Sequence, residues 1–398
     1  MVISLLVIVN IRVYHTPETK TSKNDSLNID LLKELRFLEA ALADGADLKM
    51  QEIYPEGYIF MNALYGLAWC DVLSALQSND SLRSKGLAEI QKAYDKLNSE
   101  TGRSNFDDTL PLRYGAFYNG WTNYLLGKKL QAQGLSIRDS LDIAQFRSHC
   151  DSIASALKRQ TYPATYYGQT WPADVMICAA SLALHDKLFG PKYTPDIAGW
   201  IERVRRTVDN NGLIPHSTNY RDQKPSENAR GSSQSLILIF LKEIDPEFAR
   251  SQYEIYEKLF VDSRFGLTGI REYPAGTFGM GDIDSGPVIL QMGGAATIAG
   301  LRTTALFGNH ETNAKINGTL EALGFPVENQ TQRWYLFGAF PMADAFIAWS
   351  HSSQPLVREQ TTFFRFHLYC ILSILVGGAL IWWLWKKSRP KSNLIVEW

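Results

Sequence analysis

The stretch Gly276-Thr-Phe-Gly-Met-Gly-Asp-Ile-Asp-Ser-Gly-Pro-Val-Ile289 sets two carboxylates, Asp282 and Asp284, one residue apart among glycines. A carboxylate in such a place either caps a helix or meets a ligand. Asp284 or Ser285 suits the cap of a helix opening near Gly286-Pro287, with the proline in its first turn. Asp282 lies two residues further out, too far for an ordinary cap. The surrounding glycines suit positive φ or close approach to a ligand. Asp282 is therefore expected to reach into a site.

Other acids stand in comparable settings. Asp174 follows "QTWP", in the first turn of a helix opened by Trp171 and Pro172. The helix dipole favours a carboxylate there by about 0.3–1 kcal/mol, and Trp171 offers a flat apolar platform beside it. Glu56, in "IYPEGY", lies between Tyr54 and Tyr58. Asp107 and Asp108 in "NFDDTLP" include one cap and one further acid, Asp108, with Arg113 close behind. Glu272 in "IREYP" is flanked by Arg271 and Tyr273. His216, after a proline in a long polar loop, suits a hydroxyl ligand or proton carrier. Arg230 in "ENARGSS" either holds an anion or pairs with Glu227. Tyr167 and Trp334 add aromatic surface in two more loops. Two carboxyl groups of different pKa perform general acid–base or nucleophilic chemistry.

Helical periodicity dominates the elements that must position these residues. Helices are expected over 28–45, 58–78, 80–98, 111–132, 138–158, 171–189, 194–209, 227–243, 245–262, 285–308, 310–323 and 338–352. Odd-numbered members are amphipathic, as in "DIAGWIERVRRTVDNNG". Even-numbered ones are apolar all round or rich in small residues, as in "YIFMNALYGLAWCDVLSAL", and such helices belong in an interior. Alternating outer and inner helices make an all-α (α/α)6 toroid. The loops entering the even helices carry the acids and aromatics listed above. The reverse loops, such as "QSND" and "GNHE", are plain. One face of the toroid would then form an acidic, aromatic bowl, and loops on a rigid scaffold are where function concentrates.

With "YPEGY", "WPAD" and "GDIDSGP" at inner-helix starts, residues 28–352 resemble the six-hairpin glycosidase-like superfamily. That superfamily includes glycoside hydrolases, glycan lyases, sugar epimerases and some terpenoid enzymes, so the resemblance implies the fold more strongly than the substrate. It implies a glycoside hydrolase with a pair of carboxylates. Asp174 and Asp282 are the first choice, with Glu56 and Asp284 in reserve. Tyr54, Tyr58, Asp108, Arg113, Tyr167, Trp171, His216, Arg230, Glu272, Tyr273 and Trp334 are expected to bind substrate. A non-catalytic glycan-binding or scaffold protein, and a toroid enzyme acting on an isoprenoid or lipid-linked substrate, are the alternatives.

The 398 residues carry a formal net charge of −1, which gives no general attraction to nucleic acid. No GxGxxG, P-loop, GxSxG or HExxH occurs. Cys70, Cys150, Cys178 and Cys370 show no zinc-ligand spacing and read as buried free thiols. No metal and no cofactor is expected.

Residues 366–385, "FHLYCILSILVGGALIWWLW", contain one ionisable group, His367. As a helix they extend about 30 Å, enough to span a bilayer. Trp382, Trp383 and Trp385 suit an interface, and the basic "KKSRPK" that follows puts the C-terminal tail, 386–398, in the cytoplasm. The toroid domain, joined by a linker over 353–365, is then extracytoplasmic, with the lipid bilayer and a glycan as partners. The apolar start "MVISLLVIV", within an N-terminal segment of 1–27, is too short to span and reads as the end of a truncated anchor.

Overall fold

The computed structural model describes residues 2–21, 26–76, 81–134, 137–282, 285–354 and 361–388. Its helices, in order, are α1 (Val2–Arg12), α2 (Ile29–Ala43), α3 (Ala46–Ile53), α4 (Gly57–Ser74), α5 (Ser81–Leu97), α6 (Glu100–Arg103), α7 (Gly115–Gln133) and α8 (Ser140–Arg159). They continue with α9 (Pro172–Phe189), α10 (Thr194–Arg205), α11 (Gly231–Ile244), α12 (Pro246–Phe260), α13 (Gly294–Leu306), α14 (His310–Leu323), α15 (Pro341–His351) and α16 (Phe364–Ser388).

The inner helices α4, α7, α9, α11, α13 and α15 each pack on the next, and α15 returns to α4, closing an (α/α)6 ring. The helices α2, α5, α8, α10, α12 and α14 lie outside, each against at least one inner helix. The division follows from side-chain distribution. In α4, residues from Gly57 to Cys70 are buried on every side except at Phe60, whereas α12 buries one stripe that includes Phe248, Tyr253, Tyr256 and Phe260. Small residues bring the inner helices together. A Cβ on Gly120 of α7 would stand 3.1 Å from the backbone oxygen of Asp174, so α7 presses against the first turn of α9. At the centre, Trp121 meets Phe60, Phe240 and Trp349 with ring centroids 5.4, 5.8 and 5.9 Å away.

Capping separates the two rings. Asn28, Asp139, Asp245 and Asn309 each accept a backbone N–H at the start of an outer helix. The six inner helices begin at Glu56, Tyr114, Trp171, Arg230, Gly293 and Phe340, and none of these supplies a side-chain cap. Six helix N-termini without a cap from their own N-cap residue, with their positive dipole ends, therefore meet at one face. Acids are favoured there.

Three starts lie four or more residues later than expected. Helix α7 begins at Gly115 rather than 111. Helix α13 does not open at Gly286-Pro287. Val288–Ile289 pairs with Met292–Gly293 in a tight hairpin, and the helix begins at Gly294. Helix α11 begins at Gly231 rather than 227, because Ser217–Asn219 pairs with Pro225–Glu227 and also joins Gln169–Thr170. That small sheet ties the third entry loop to the fourth.

Helix α16 is long and apolar enough to cross a membrane, and only 6% of its apolar window is buried. Its first turns are docked rather than tethered. A Cβ on Gly266 would stand 2.3 Å from the Phe366 nitrogen, and one on Gly318 of α14 would stand 2.4 Å from the Phe363 ring. Helix α1 packs against both α14 and α16. Val9, Val13, Leu267, Ala322, Phe363, Phe366 and Cys370 form a separate apolar cluster at this junction. All four cysteines are free and buried.

Candidate functional site

The face where the inner helices start holds most of the acids singled out from the sequence. Asp174 lies half-buried in the first turn of α9, its N–H donating to the Trp171 carbonyl at 3.1 Å. Glu56 accepts a hydrogen bond from the Tyr166 hydroxyl, linking the first entry loop to the third. Tyr166 meets Trp171 edge to face, centroids 5.8 Å apart, and Tyr54 meets Phe340 of the sixth loop at 6.0 Å. Beneath them, Phe60 and Phe346 are half-buried with centroids 5.1 Å apart.

The fourth and fifth loops build the most highly charged part. Arg230 stands at the start of α11 and donates to both Asp282 and Glu227. Its guanidinium lies 5.5 Å from the centre of the Tyr273 ring. Tyr273 donates from its hydroxyl to the Met280 carbonyl at 2.8 Å and so holds the loop that carries Asp282. Asp282 Oδ1 accepts the Ser285 N–H at 2.9 Å and the Ser285 hydroxyl at 3.0 Å. Partial burial pushes the Asp282 carboxyl up, but Arg230 and Ser285 outweigh it and hold the pKa down at about 2. Asp282 is thus an ionised, exposed carboxylate with a fixed orientation.

Glu272 is its opposite. It is fully buried, with Oε1 accepting the Ser232 hydroxyl at 2.7 Å and Oε2 the Ser232 N–H at 3.3 Å. It therefore closes the start of α11, which lacks a cap of its own. Gly293 permits this, since a Cβ there would stand 2.9 Å from Oε2. Burial pushes the Glu272 carboxyl up to about 7, against the Ser232 bonds and Arg230. His216 is buried too, and its Nδ1 has no partner among the described residues. Burial, then the nearby Arg230 charge, lowers its pKa to about 4, so the ring is neutral at physiological pH.

The remaining residues make other contacts. Tyr58 is buried, with Lys96 5.6 Å above its ring, so it belongs to the packing of α4. Asp108 and Arg113 form an exposed pair at 3.1 Å. Asp107 accepts the N–H and hydroxyl of Thr109, closing a turn rather than a helix. Tyr167 is exposed, and Trp334 stacks on Phe37 of α2 at 5.7 Å. Asp284 lies outside the described residues. No group of three or more potential metal ligands occurs among the described residues.

Asp344 was not singled out. It lies in the first turn of α15, buried, with Oδ1 accepting the Tyr335 N–H at 2.6 Å and Oδ2 without a partner among the described residues. Burial raises its pKa to about 8. The signal was present: Phe340-Pro341-Met-Ala-Asp344 repeats, with one residue added, the aromatic–proline–acid pattern of Trp171-Pro172-Ala-Asp174.

No protein-family model matches the chain, and no curated protein matches its sequence. Among solved structures it is similar to one described as "Structural Analysis of C. acetobutylicum ATCC 824 Glycoside Hydrolase From Family 105". The identity is 12% and the TM-score 0.43, over 73% of this chain and 93% of that one. A likeness of that size bears on neither substrate nor individual residues.

Proposed function

We propose that the chain is a membrane-anchored, glycan-active enzyme, a glycoside hydrolase whose site lies in the bowl at the inner-helix starts. The observation that carries this reading is the clamped Asp282 carboxylate. Its pKa is held down at about 2, so it is ionised at neutral pH, while that of its neighbour Glu272 is driven up to about 7. Acids pushed apart in pKa are a mark of functional sites. Asp282 acts as the ionised partner, base or nucleophile, and Asp174 on α9, which is separated from α13 by α11 in the inner ring, acts as the acid. Glu272 has no surface of its own. It is a positioning residue that fixes Ser232 and, through α11, Arg230. Trp171, Tyr166 and Tyr54 supply faces for sugar stacking, and His216 a neutral hydrogen-bonding ring. Helix α16 crosses the bilayer with Lys386 and Lys387 on the cytoplasmic side, which leaves the toroid outside.

The test is release of reducing ends by the full chain from bacterial envelope and plant polysaccharides, with Asp282→Asn and Asp174→Asn in parallel. Release that is lost in both variants supports the assignment. Absence of release, with unchanged helical circular dichroism, shifts the reading. Tight glycan binding would indicate a binding protein. Turnover of a lipid extract would indicate an isoprenoid-type substrate, for which the aromatic floor of Phe60 and Phe346 is suited.

A further inference from the structure

Eight non-glycine residues have a positive φ among the described residues, and six of them lie on four loop tips: Phe265, Leu290 with Gln291, Phe325, and Leu336 with Phe337. Left-handed backbone costs a bulky L-residue of order 1–3 kcal/mol, and glycine or asparagine would occupy such tips without that cost. Yet Phe265, Leu290 and Phe337 are 58%, 53% and 71% exposed. Strained tips that present large apolar side chains to water are doubly unfavourable in an isolated soluble domain.

The tips flank the junction of α1 and α16. Phe265 lies edge-on to Tyr369 of α16, ring centroids 5.5 Å apart. The guanidinium of Arg264 donates to the Leu290 carbonyl at 3.3 Å, which brings the second tip beside the first. On the other side, Phe337 stacks on Phe325 at 5.5 Å, and Arg12 at the end of α1 donates to the Pro326 carbonyl. Helix α1 adds exposed Leu5, Val7, Ile8 and Ile11. Tyr369 lies five residues beyond Phe364, about 8 Å along the helix at 1.5 Å per residue. That is the depth at which interfacial apolar side chains sit, about 5–10 Å. The chain entering α16 packs closely on the domain at Gly266 and Gly318, where a Cβ would meet Phe366 and Phe363.

We propose that the tips at Phe265, Leu290 and Phe337 enter the interfacial layer of the bilayer that α16 crosses, seating the bowl rim on the membrane surface. The proposal rests on α16 being a membrane span. It has a consequence for the site, because the Asp282 loop backs onto the hairpin that ends in Leu290. A Cβ on Gly281 would stand 3.1 Å from the Val288 side chain. The ionised carboxylate is then held at headgroup level.

The test uses the full chain in vesicles of phosphatidylcholine and phosphatidylglycerol, with spin labels at Leu290→Cys, Phe337→Cys and, as a control on the opposite face, Leu141→Cys. Labels at 290 and 337 are expected to be relaxed by oxygen, which partitions into lipid, and shielded from an aqueous nickel chelate. The 141 label is expected to behave in the reverse way. Equal nickel access at all three positions overturns the proposal. So does shielding that appears only as the protein-to-lipid ratio rises, which would give the face to a second copy of the chain. Flotation of the protein with the vesicles reports the anchor separately, so a chain that floats with water-exposed tips overturns the seating alone. A chain that fails to float overturns both.

Discussion

Arg230 and Asp282, separated by 52 residues of sequence, pair across the seam between the fourth and fifth entry loops. Glu227 takes the other arm of the guanidinium. The arrangement keeps one exposed carboxylate ionised and aimed. Asp282→Asn keeps the size and the Ser285 bonds but removes the charge. If Asp282 is the base or nucleophile, turnover falls by about 10²–10⁴-fold with little change in the circular dichroism spectrum. Arg230→Gln acts differently. Without the cation the Asp282 pKa climbs from about 2 toward its ordinary 3.8, and the acid limb of the pH–rate profile moves up with it. An unmoved acid limb would remove Asp282 from that titration.

Glu272 and Asp344 both have folded-state values raised above their ordinary ones, from 4.5 to about 7 and from 3.8 to about 8. The folded chain therefore holds these protons more tightly than the unfolded chain does. Stability is greatest below the ordinary values and falls as pH rises through the folded ones. The melting temperature is expected to fall from about pH 4 to about pH 8 on account of these two groups. Asp344→Asn keeps an oxygen for the Tyr335 N–H and removes the second titration. Its melting temperature should equal that of the unmodified chain near pH 4 and exceed it at pH 8. Parallel curves across that range would contradict the assignment.

The toroid was legible because its inner helices lack a polar stripe. "YIFMNALYGLAWC" cannot face water on any side, and α4 duly lies in the inner ring. The start of α13 was not legible. "VILQMGG" contains no turn residue before its glycines, yet Leu290 and Gln291 turn with φ of 53° and 71°. A turn that normally demands glycine or asparagine leaves no signal when bulky residues make it. In the site, Asp174 could be placed from its local pattern alone. The Arg230–Asp282 pair could not, since only packing of α11 against α13 and the hairpin before it decides which loops meet. The burial of Glu272 has the same origin. Its neighbours in sequence, Arg271 and Tyr273, say nothing of Ser232 and Gly293.

Arg333 is the centre of a buried group between α2, α14 and the sixth entry loop. It donates to Glu321 at 2.5 Å, lies 3.3 Å from Glu328 and 3.8 Å from Glu34, and Tyr335 donates to Glu321 at 2.9 Å. Glu34 in turn meets His351 Nδ1 at 2.9 Å. Removing the one guanidinium leaves buried carboxylates without their counter-ion. Arg333→Met is expected to cost about 3–5 kcal/mol, read as a lower urea midpoint. Adding Glu321→Gln should recover part of the loss, because it removes one of the stranded charges. A double variant no more stable than the single one would mean that Arg333 acts by packing rather than by charge.

His367 is the one basic side chain in 366–385, and Asn10 of α1 with Tyr14 just beyond that helix satisfies both of its ring nitrogens. Asn10 Oδ1 lies 2.5 Å from Nδ1, and the Tyr14 hydroxyl 2.6 Å from Nε2. A ring nitrogen left bare in apolar surroundings costs about 1–3 kcal/mol, so these bonds tie the two helices together where α16 leaves the domain. Asn10→Leu fills similar space without an acceptor. In vesicles, amide exchange along α1 should then quicken by about 5–150-fold, the factor matching that cost. His367→Phe combined with Asn10→Leu makes the contact wholly apolar and should slow exchange again. If Asn10→Leu alone leaves α1 protected, packing of Val9 and Val13 against Phe363 and Phe366 holds the pair without the polar contacts.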